Sequence, residues 1–271
     1  MNQNISAQQF YAETYDVCMT DWSGEIDFYR EVVSEEVKSK GGIVLDVACG
    51  TGRIGLRLAK EGTFVIGLDR SPEMLAIARQ KSISMDCISW VEADMRAFEL
   101  GKLFDLVVIP SHSFQNLNTA DDQVACIECI WRHLKPGGLL AVHLDHMNDE
   151  SMKWLGEISG EEKGVFEDNE PFQHPHTGLL IRTTSAWSYQ PASQTATKQT
   201  IWEEIDTNGK PRRRWESGEV HLHCVFPFEM EHSLKRAGFE VEHVYGDFDK
   251  QELQDESPHM IWLARKPNEN Q

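Results

Sequence analysis

Ile43-Val44-Leu45-Asp46-Val47-Ala48-Cys49-Gly50-Thr51-Gly52-Arg53-Ile54-Gly55 is the stretch that decides the fold. Its apolar run, broken only by an acid, has the composition of a buried parallel strand. Gly50 and Gly52 tolerate positive φ and remove side chains where a ligand must approach the backbone. The helix expected after them aims its unpaired N–H groups, and the positive end of its dipole, at whatever sits over the turn. Strand, glycine turn and helix together make a nucleotide-type cofactor site.

Working outward, strands and helices alternate. Thr63–Leu68 reads as a second strand, and it too ends in an acid, Asp69. Ser71-Pro72 is a strong helix start, with serine as cap and proline at the first helical position. Cys87–Val91 and Leu103–Ile109 read as third and fourth strands, and Thr119–Leu134 as a helix. Lys135-Pro136-Gly137-Gly138 then turns into a fifth strand, Leu139–Leu144. Ahead of the first strand, helices are expected over 6–18, capped by Ser6, and from Ser23, as cap, to Lys38, ended by Gly41-Gly42. The order predicts an α/β, Rossmann-like, doubly wound and mostly parallel sheet.

From Met147 the pattern changes. Residues 148–177 are polar with little periodicity, and three β-like runs follow: Leu179–Tyr189, Thr195–Ile205 and Trp215–Phe226. Asn208-Gly209 is a hairpin signal between the last two. An inserted small antiparallel sheet is expected, before a helix over 228–237 and strands at 239–245 and 259–264 complete seven strands in the main sheet. The expected division is a cofactor domain of residues 1–146 and 227–271, with residues 1–40 as a helical lid. Residues 147–226 form the insert, serving as substrate cover or dimer contact.

With 26 basic and 44 acidic residues the net charge is −18, which repels phosphate backbones and anionic lipid. Neither nucleic acid nor membrane is an expected partner, and Arg212-Arg213-Arg214 reads as a solvated loop. No apolar run reaches the length of about 18 residues that a span needs, and Met1-Asn2-Gln3-Asn4 lacks the features of a secretory signal. The six cysteines are scattered and read as reduced thiols of a cytoplasmic protein, with Cys126-x-x-Cys129 packed mid-helix.

Gly50 to Gly55 satisfies G-x-G-x-x-G, with Asp69 where a dinucleotide fingerprint expects an acid, so an NAD-dependent oxidoreductase is one reading. Asp46 argues otherwise, because a carboxylate beside the turn repels a pyrophosphate and suits a zwitterion carrying an ammonium group. Asp94 beside Met95 suits an adenine: the carboxylate accepts from the exocyclic amine and the thioether packs on the ring.

Leu45 to Gly52 resembles motif I of the class I S-adenosylmethionine-dependent methyltransferases. Asp69 with Ser71–Leu75, then Glu92–Arg96, then Leu134–Gly138 resemble that family's later motifs in order, over roughly residues 40–145. Tyr15-Asp16 and the β insertion are similar to small-molecule N-methyltransferases, such as amino-sugar dimethyltransferases and glycine N-methyltransferase. The resemblance implies S-adenosylmethionine as cofactor. Asp69 would bind its ribose, Gly50 and Gly52 would admit the methionine moiety, and Asp94 and Met95 would hold the adenine, with Met74 near the adenosine. Tyr11 or Tyr15 would close over the sulfonium, and Asp46, Ala48, Arg53, Arg70 and Pro110 complete the implied cofactor set.

Ligands of open parallel sheets sit beyond the carboxyl ends of the strands. The loop Pro110–Asn116 and the strand end His143–His146 are therefore expected at the reaction centre. His112 is the first candidate for a base or substrate-orienting group, with His146 second and Tyr15 third. No metal is expected: strand alternation divides His143, Asp145 and His146 between two faces. His221 and His223 are read as one exposed face of an insert strand. The expected activity is methylation of an amine or hydroxyl of a small molecule by a monomer or homodimer. A non-catalytic cofactor-binding protein is the remaining alternative.

Overall fold

The computed structural model describes residues 5–37, 42–160, 164–167 (backbone only) and 170–268. The expected helix end at Lys38 and Gly41, and Met1–Asn4, lie outside the described residues. In chain order the elements are α1 (Ala7–Cys18), α2 (Glu25–Glu36), β1 (Ile43–Val47), α3 (Arg53–Lys60), β2 (Phe64–Asp69), α4 (Pro72–Lys81) and β3 (Ile88–Glu92). Next come β4 (Phe104–Ile109), α5 (Ala120–His133), β5 (Leu134–Asp145), α6 (Asp149–Glu157), β6 (Gly164–Glu167), β7 (Phe172–Gln173) and β8 (Leu180–Gln190). The chain closes with β9 (Thr195–Ile205), β10 (Pro211–Glu216), β11 (Val220–His223), α7 (Pro227–Arg236), β12 (Glu240–Tyr245) and β13 (His259–Arg265). None of the described helices is long and apolar enough to cross a membrane.

The chain divides into two compact units, one of Asp21–Asp149 with Val225–Gln271, the other of Met1–Thr20 with Glu150–Cys224. The boundary at Thr20 falls inside the segment expected to act as a lid.

The larger unit carries a seven-stranded sheet in the order β12-β13-β5-β4-β1-β2-β3. The strands from β3 to β5 are mutually parallel, and β13 runs antiparallel to both β5 and β12. β1 lies at the middle of the parallel part, and Val44, Leu45 and Val47 are completely buried. Because the parallel strands point one way, residues 48–55, 69–71, 93–95, 110–116 and 145–148 all emerge at one edge. β5 includes the Lys135–Gly138 turn as an irregularity between the pairs Phe104↔Leu134 and Leu106↔Leu139. Cys126 and Cys129 are buried on α5 as core residues, and Cys129 Sγ donates to Phe98 O.

Ser71 caps α4 by accepting from Met74 N at 3.3 Å, as its sequence predicts. α2 departs from expectation. Its cap is Gly24, with φ of 79°, and Ser23 is exposed outside it. Glycine is required there because the backbone is left-handed. α2 also buries Glu25 completely, against Arg53 of α3, which is 6% exposed. Arg53 Nη2 donates to Glu25 Oε1 at 2.8 Å, and Nη1 pairs with Glu25 Oε2 and with Asp21 Oδ1.

In the smaller unit Ser6 caps α1, accepting from Gln9 N. Strands β10, β9, β8 and β6 form an antiparallel sheet, with β11 on β9 and β7 on β8. The polar stretch 148–177, which shows little periodicity, contains α6, β6 and β7. The expected run Trp215–Phe226 is two strands, β10 and β11, laid end to end along β9. Arg212–Arg214 is strand rather than loop: it lies in β10, with Arg213 opposite Glu204 and Arg214 opposite Glu203. The turn before it is held by Asp206, whose Oδ1 accepts from Asn208 N and Lys210 N. His221 is exposed, but His223 is buried, so this face is not simply solvated. The unit's core is Phe10, Ile181 and Trp202, with Phe10 stacked on Trp215 at 4.1 Å between centroids.

Removing one partner of a buried ion pair leaves the other charge uncompensated. Glu25→Ala is expected to lower unfolding free energy by about 3 kcal/mol in urea titration. Asp27→Ala, which removes the exposed partner of Arg30, is expected to cost less than about 1 kcal/mol. Equal, small losses in both variants would contradict this account.

Candidate functional site

The turn after β1 is built from backbone that side chains resist. Ala48, Gly50 and Gly52 have φ of 55°, 54° and 82°. Two acids hold it. Asp69 Oδ2 accepts from Gly50 N and Oδ1 from Ser71 N, both at 2.8 Å, so one carboxylate at the end of β2 positions the turn and the start of α4. Asp46 is completely buried, and its Oδ2 accepts from Gly55 N at 3.0 Å. Its Oδ1 is buried with no partner among the described residues. Burial is the main cause that raises Asp46 to about 7; the Gly55 N–H and Arg53 oppose the shift, and Asp69 and Glu25 add to it. Gly55 is a packing residue: a Cβ there would lie 2.9 Å from Asp46 Oδ2 and 3.3 Å from Val65.

Gly52 has a reason the sequence did not reveal. A Cβ there would come within 2.4 Å of the Trp90 ring, and one at Gly67 within 2.3 Å. The two glycines admit the indole of β3, whose Nε1 donates to Ser82 Oγ at 2.8 Å.

Arg53 links this turn to the loop after β4. Besides its carboxylate partners, its Nη2 donates to Ser111 Oγ at 2.5 Å. Its guanidinium is thus engaged within the protein rather than left to a cofactor. Pro110 is buried, and Ser111 and His112 follow it with φ of 58° and 59°. Two successive non-glycine residues in the left-handed region cost on the order of 1–3 kcal/mol each and cluster at functional sites.

Among the other expected cofactor residues, Asp94 is half-buried and is clamped by Arg96, whose Nε and Nη2 donate at 2.9 and 2.6 Å. Those bonds hold its pKa below the ordinary carboxylate value. Met95 is half-buried and packs on the core, Met74 is buried on α4, and Arg70 is exposed. Tyr11 and Tyr15 lie on α1 in the smaller unit, where Tyr11 packs edge-on against Tyr15 at 5.6 Å and lies tilted against Trp202 at 5.8 Å.

At the carboxyl ends of β4 and β5 the structure assembles a histidine cluster. His112 Nδ1 lies 3.2 Å from Asp145 Oδ1, and its Nε2 lies 3.0 Å from His143 Nε2. His259 opens β13 opposite Asp145. It joins the cluster with its ring 4.7 Å from His143 and 5.7 Å from His112. Trp22 packs on His112 and His143, and Phe248 on His143 and His259. Burial, aided by the Arg53 charge, pushes His112 down to about 3, and burial also lowers His143 and His259, so all three are neutral imidazoles near pH 7. Burial raises Asp145 to about 6. His146 is turned to a structural task, its Nδ1 donating to Ser257 O at 2.8 Å. Sequence reasoning reached His112 but missed His259, Trp22 and Glu25. Their only sequence signal is the position of His259 at a strand start on the ligand-bearing edge.

Residues 44–138 match a family model described as a methyltransferase domain. The "Putative methyltransferase YqeM" of Bacillus subtilis (strain 168) is 30% identical over 276 residues, covering 95% of this chain and 96% of that protein. A dTDP-3-amino-3,4,6-trideoxy-alpha-D-glucopyranose N,N-dimethyltransferase of Streptomyces venezuelae is 27% identical, covering 87% of this chain and 92% of that one. A crystal structure of an S-adenosylmethionine-dependent methyltransferase from Clostridium acetobutylicum ATCC 824 superposes with a TM-score of 0.75 at 18% identity, covering 95% and 96% of the two chains. The chain belongs to the methyltransferase family and has the fold of its S-adenosylmethionine-dependent members.

Proposed function

We propose that this chain transfers a methyl group from S-adenosylmethionine to an amine of a small molecule, by in-line displacement at the carboxyl edge of its parallel sheet. The observation that carries the reading is the Asp46–Gly50–Asp69 constellation. Asp46 Oδ1 is an acceptor suited to an ammonium group, Gly50 has a positive φ that side chains resist, and Asp69, at the end of β2 beside Gly50, is the carboxylate assigned to the ribose diol. Two carboxylates at this turn oppose a pyrophosphate, which supports S-adenosylmethionine over a dinucleotide. Asp94 and Met95, at the end of β3, supply the acceptor and the apolar face for adenine.

The cofactor's sulfonium supplies an activated methyl group, so the protein's task is to align the nucleophile, exclude water and take up a proton. His112 is the group assigned to the proton or to orienting the nucleophile. Asp145 pairs with its Nδ1, and Nε2 of the neutral ring is the acceptor atom, which faces His143 Nε2 at 3.0 Å. The amino-sugar dimethyltransferase among the relatives favours an amine over a hydroxyl, and the net charge of −18 supports a small molecule over nucleic acid.

Two measurements test this. Calorimetry is expected to show saturable binding of S-adenosylhomocysteine, weakened by at least about 100-fold in Asp69→Ala through loss of charge-assisted hydrogen bonds. Saturable binding of NADH instead would overturn the reading. An ammonium needs Asp46 ionised, and its folded pKa is about 7. Affinity is therefore expected to fall as pH drops from 8 to 5, approaching about tenfold per unit below 7. Arg53, Asp69 and Glu25 are the charged groups that face Asp46. A profile equally steep in Asp46→Asn would remove Asp46 from the role.

A further inference from the structure

We propose that His112, His143 and His259 form a binding site for a late first-row divalent cation of the zinc class. One ligating atom from each residue falls within 4.8 Å of the others. The ring centroids stand 4.2, 4.7 and 5.7 Å apart, so the rings surround a common point rather than stacking in a row. Imidazoles bound to a tetrahedral zinc ion at about 2.0 Å place their nitrogens about 3.3 Å apart. The 3.0 Å contact between His112 and His143 is close to that spacing.

Three further observations favour a cation over a merely packed cluster. The first is the pairing of His112 Nδ1 with Asp145. A carboxylate behind an imidazole fixes the tautomer that leaves the other nitrogen bare, the usual arrangement behind a metal ligand. The second is His259 Nδ1, buried with no hydrogen-bond partner among the described residues. Buried polar atoms are rarely left so, and this one, in a ring beside His143, marks a missing electrophile or donor. The third is the shell: Trp22 packs on His112 and His143 and Phe248 on His143 and His259, and His143 and His259 are buried. Arg53 is the cation that acts on His112 and His143, and Glu25 and Asp21 neutralise it.

Three imidazoles leave a zinc ion one position for water or a substrate heteroatom. A cation here would take the His112 lone pair, and a bound water with its pKa lowered to about 7 would lose its proton to solvent and supply a hydroxide as the proton acceptor in place of His112. Only that catalytic use rests on the proposed methyl transfer; binding of the cation does not.

The test is loading of tag-free full-length protein with Zn²⁺ or Co²⁺, followed by desalting, elemental analysis and visible spectroscopy of the cobalt form. The expected result is one ion per chain and the intense visible band of four-coordinate cobalt. His259→Gln is expected to weaken binding by at least 100-fold and Asp145→Asn by about 10-fold. His143→Gln tests the same ligand set, and His259→Gln, at the sheet edge, covers the case in which His143→Gln fails to fold. Asp69→Ala is expected to keep the metal while losing S-adenosylhomocysteine, which separates failure of this site from failure of the cofactor reading. Substoichiometric uptake, or uptake that survives His259→Gln, would overturn the proposal.

Discussion

Two carboxylates hold the turn between β1 and α3 on which the site depends. Asp69 fixes Gly50 from the end of β2, and Asp46 fixes Gly55 from within β1. Each accepts from backbone N–H groups that the turn leaves unpaired, so the glycine backbone is held without a ligand. Negative charge at a helix N-terminus is favoured by the dipole. Here the protein supplies that charge itself, which makes the same turn a poor seat for phosphate. The cost appears at Asp46, whose burial disfavours its ionised form. A ligand ammonium would relieve that cost, coupling cofactor binding to the protonation of a strand residue in the sheet centre.

Arg53 extends this order outward. Its side chain joins α2 through Glu25, the segment before α2 through Asp21, and the loop after β4 through Ser111. The strained residues Ser111 and His112 are thereby tied to the helix that follows the glycine turn. His112 then meets Asp145 and His143 from β5, and β13, running antiparallel beside β5, adds His259 at the same edge. The glycine turn and the histidine cluster are linked through Arg53 and the loop after β4 within a single compact unit.

Much of this was legible in the sequence because it is local. The glycine turn, the acids ending β1 and β2, and the serine–proline start of α4 are each written in a few adjacent residues. So was the placement of His112 beyond β4, which follows from strand order alone. What escaped was non-local. Glu25 reads as a polar position on an amphipathic helix until Arg53, 28 residues on, is brought against it. His259 is separated from His112 by most of the second half of the chain, and only the antiparallel placement of β13 unites them. Gly52 suggested ligand access and in fact accommodates Trp90, a contact that spacing cannot reveal. The Arg212–Arg214 run looked solvated, but long charged side chains also sit on an exposed strand, and β9 supplies Glu203 and Glu204 opposite two of them.

The most direct test of the account is a crystal structure with S-adenosylhomocysteine bound. It is predicted to show the amino group of the ligand beside Asp46 and the Gly50 backbone, the ribose hydroxyls on Asp69, and the sulfur directed toward His112. A ligand lying in the opposite sense, with its adenine over the Gly50–Gly52 turn, would contradict it.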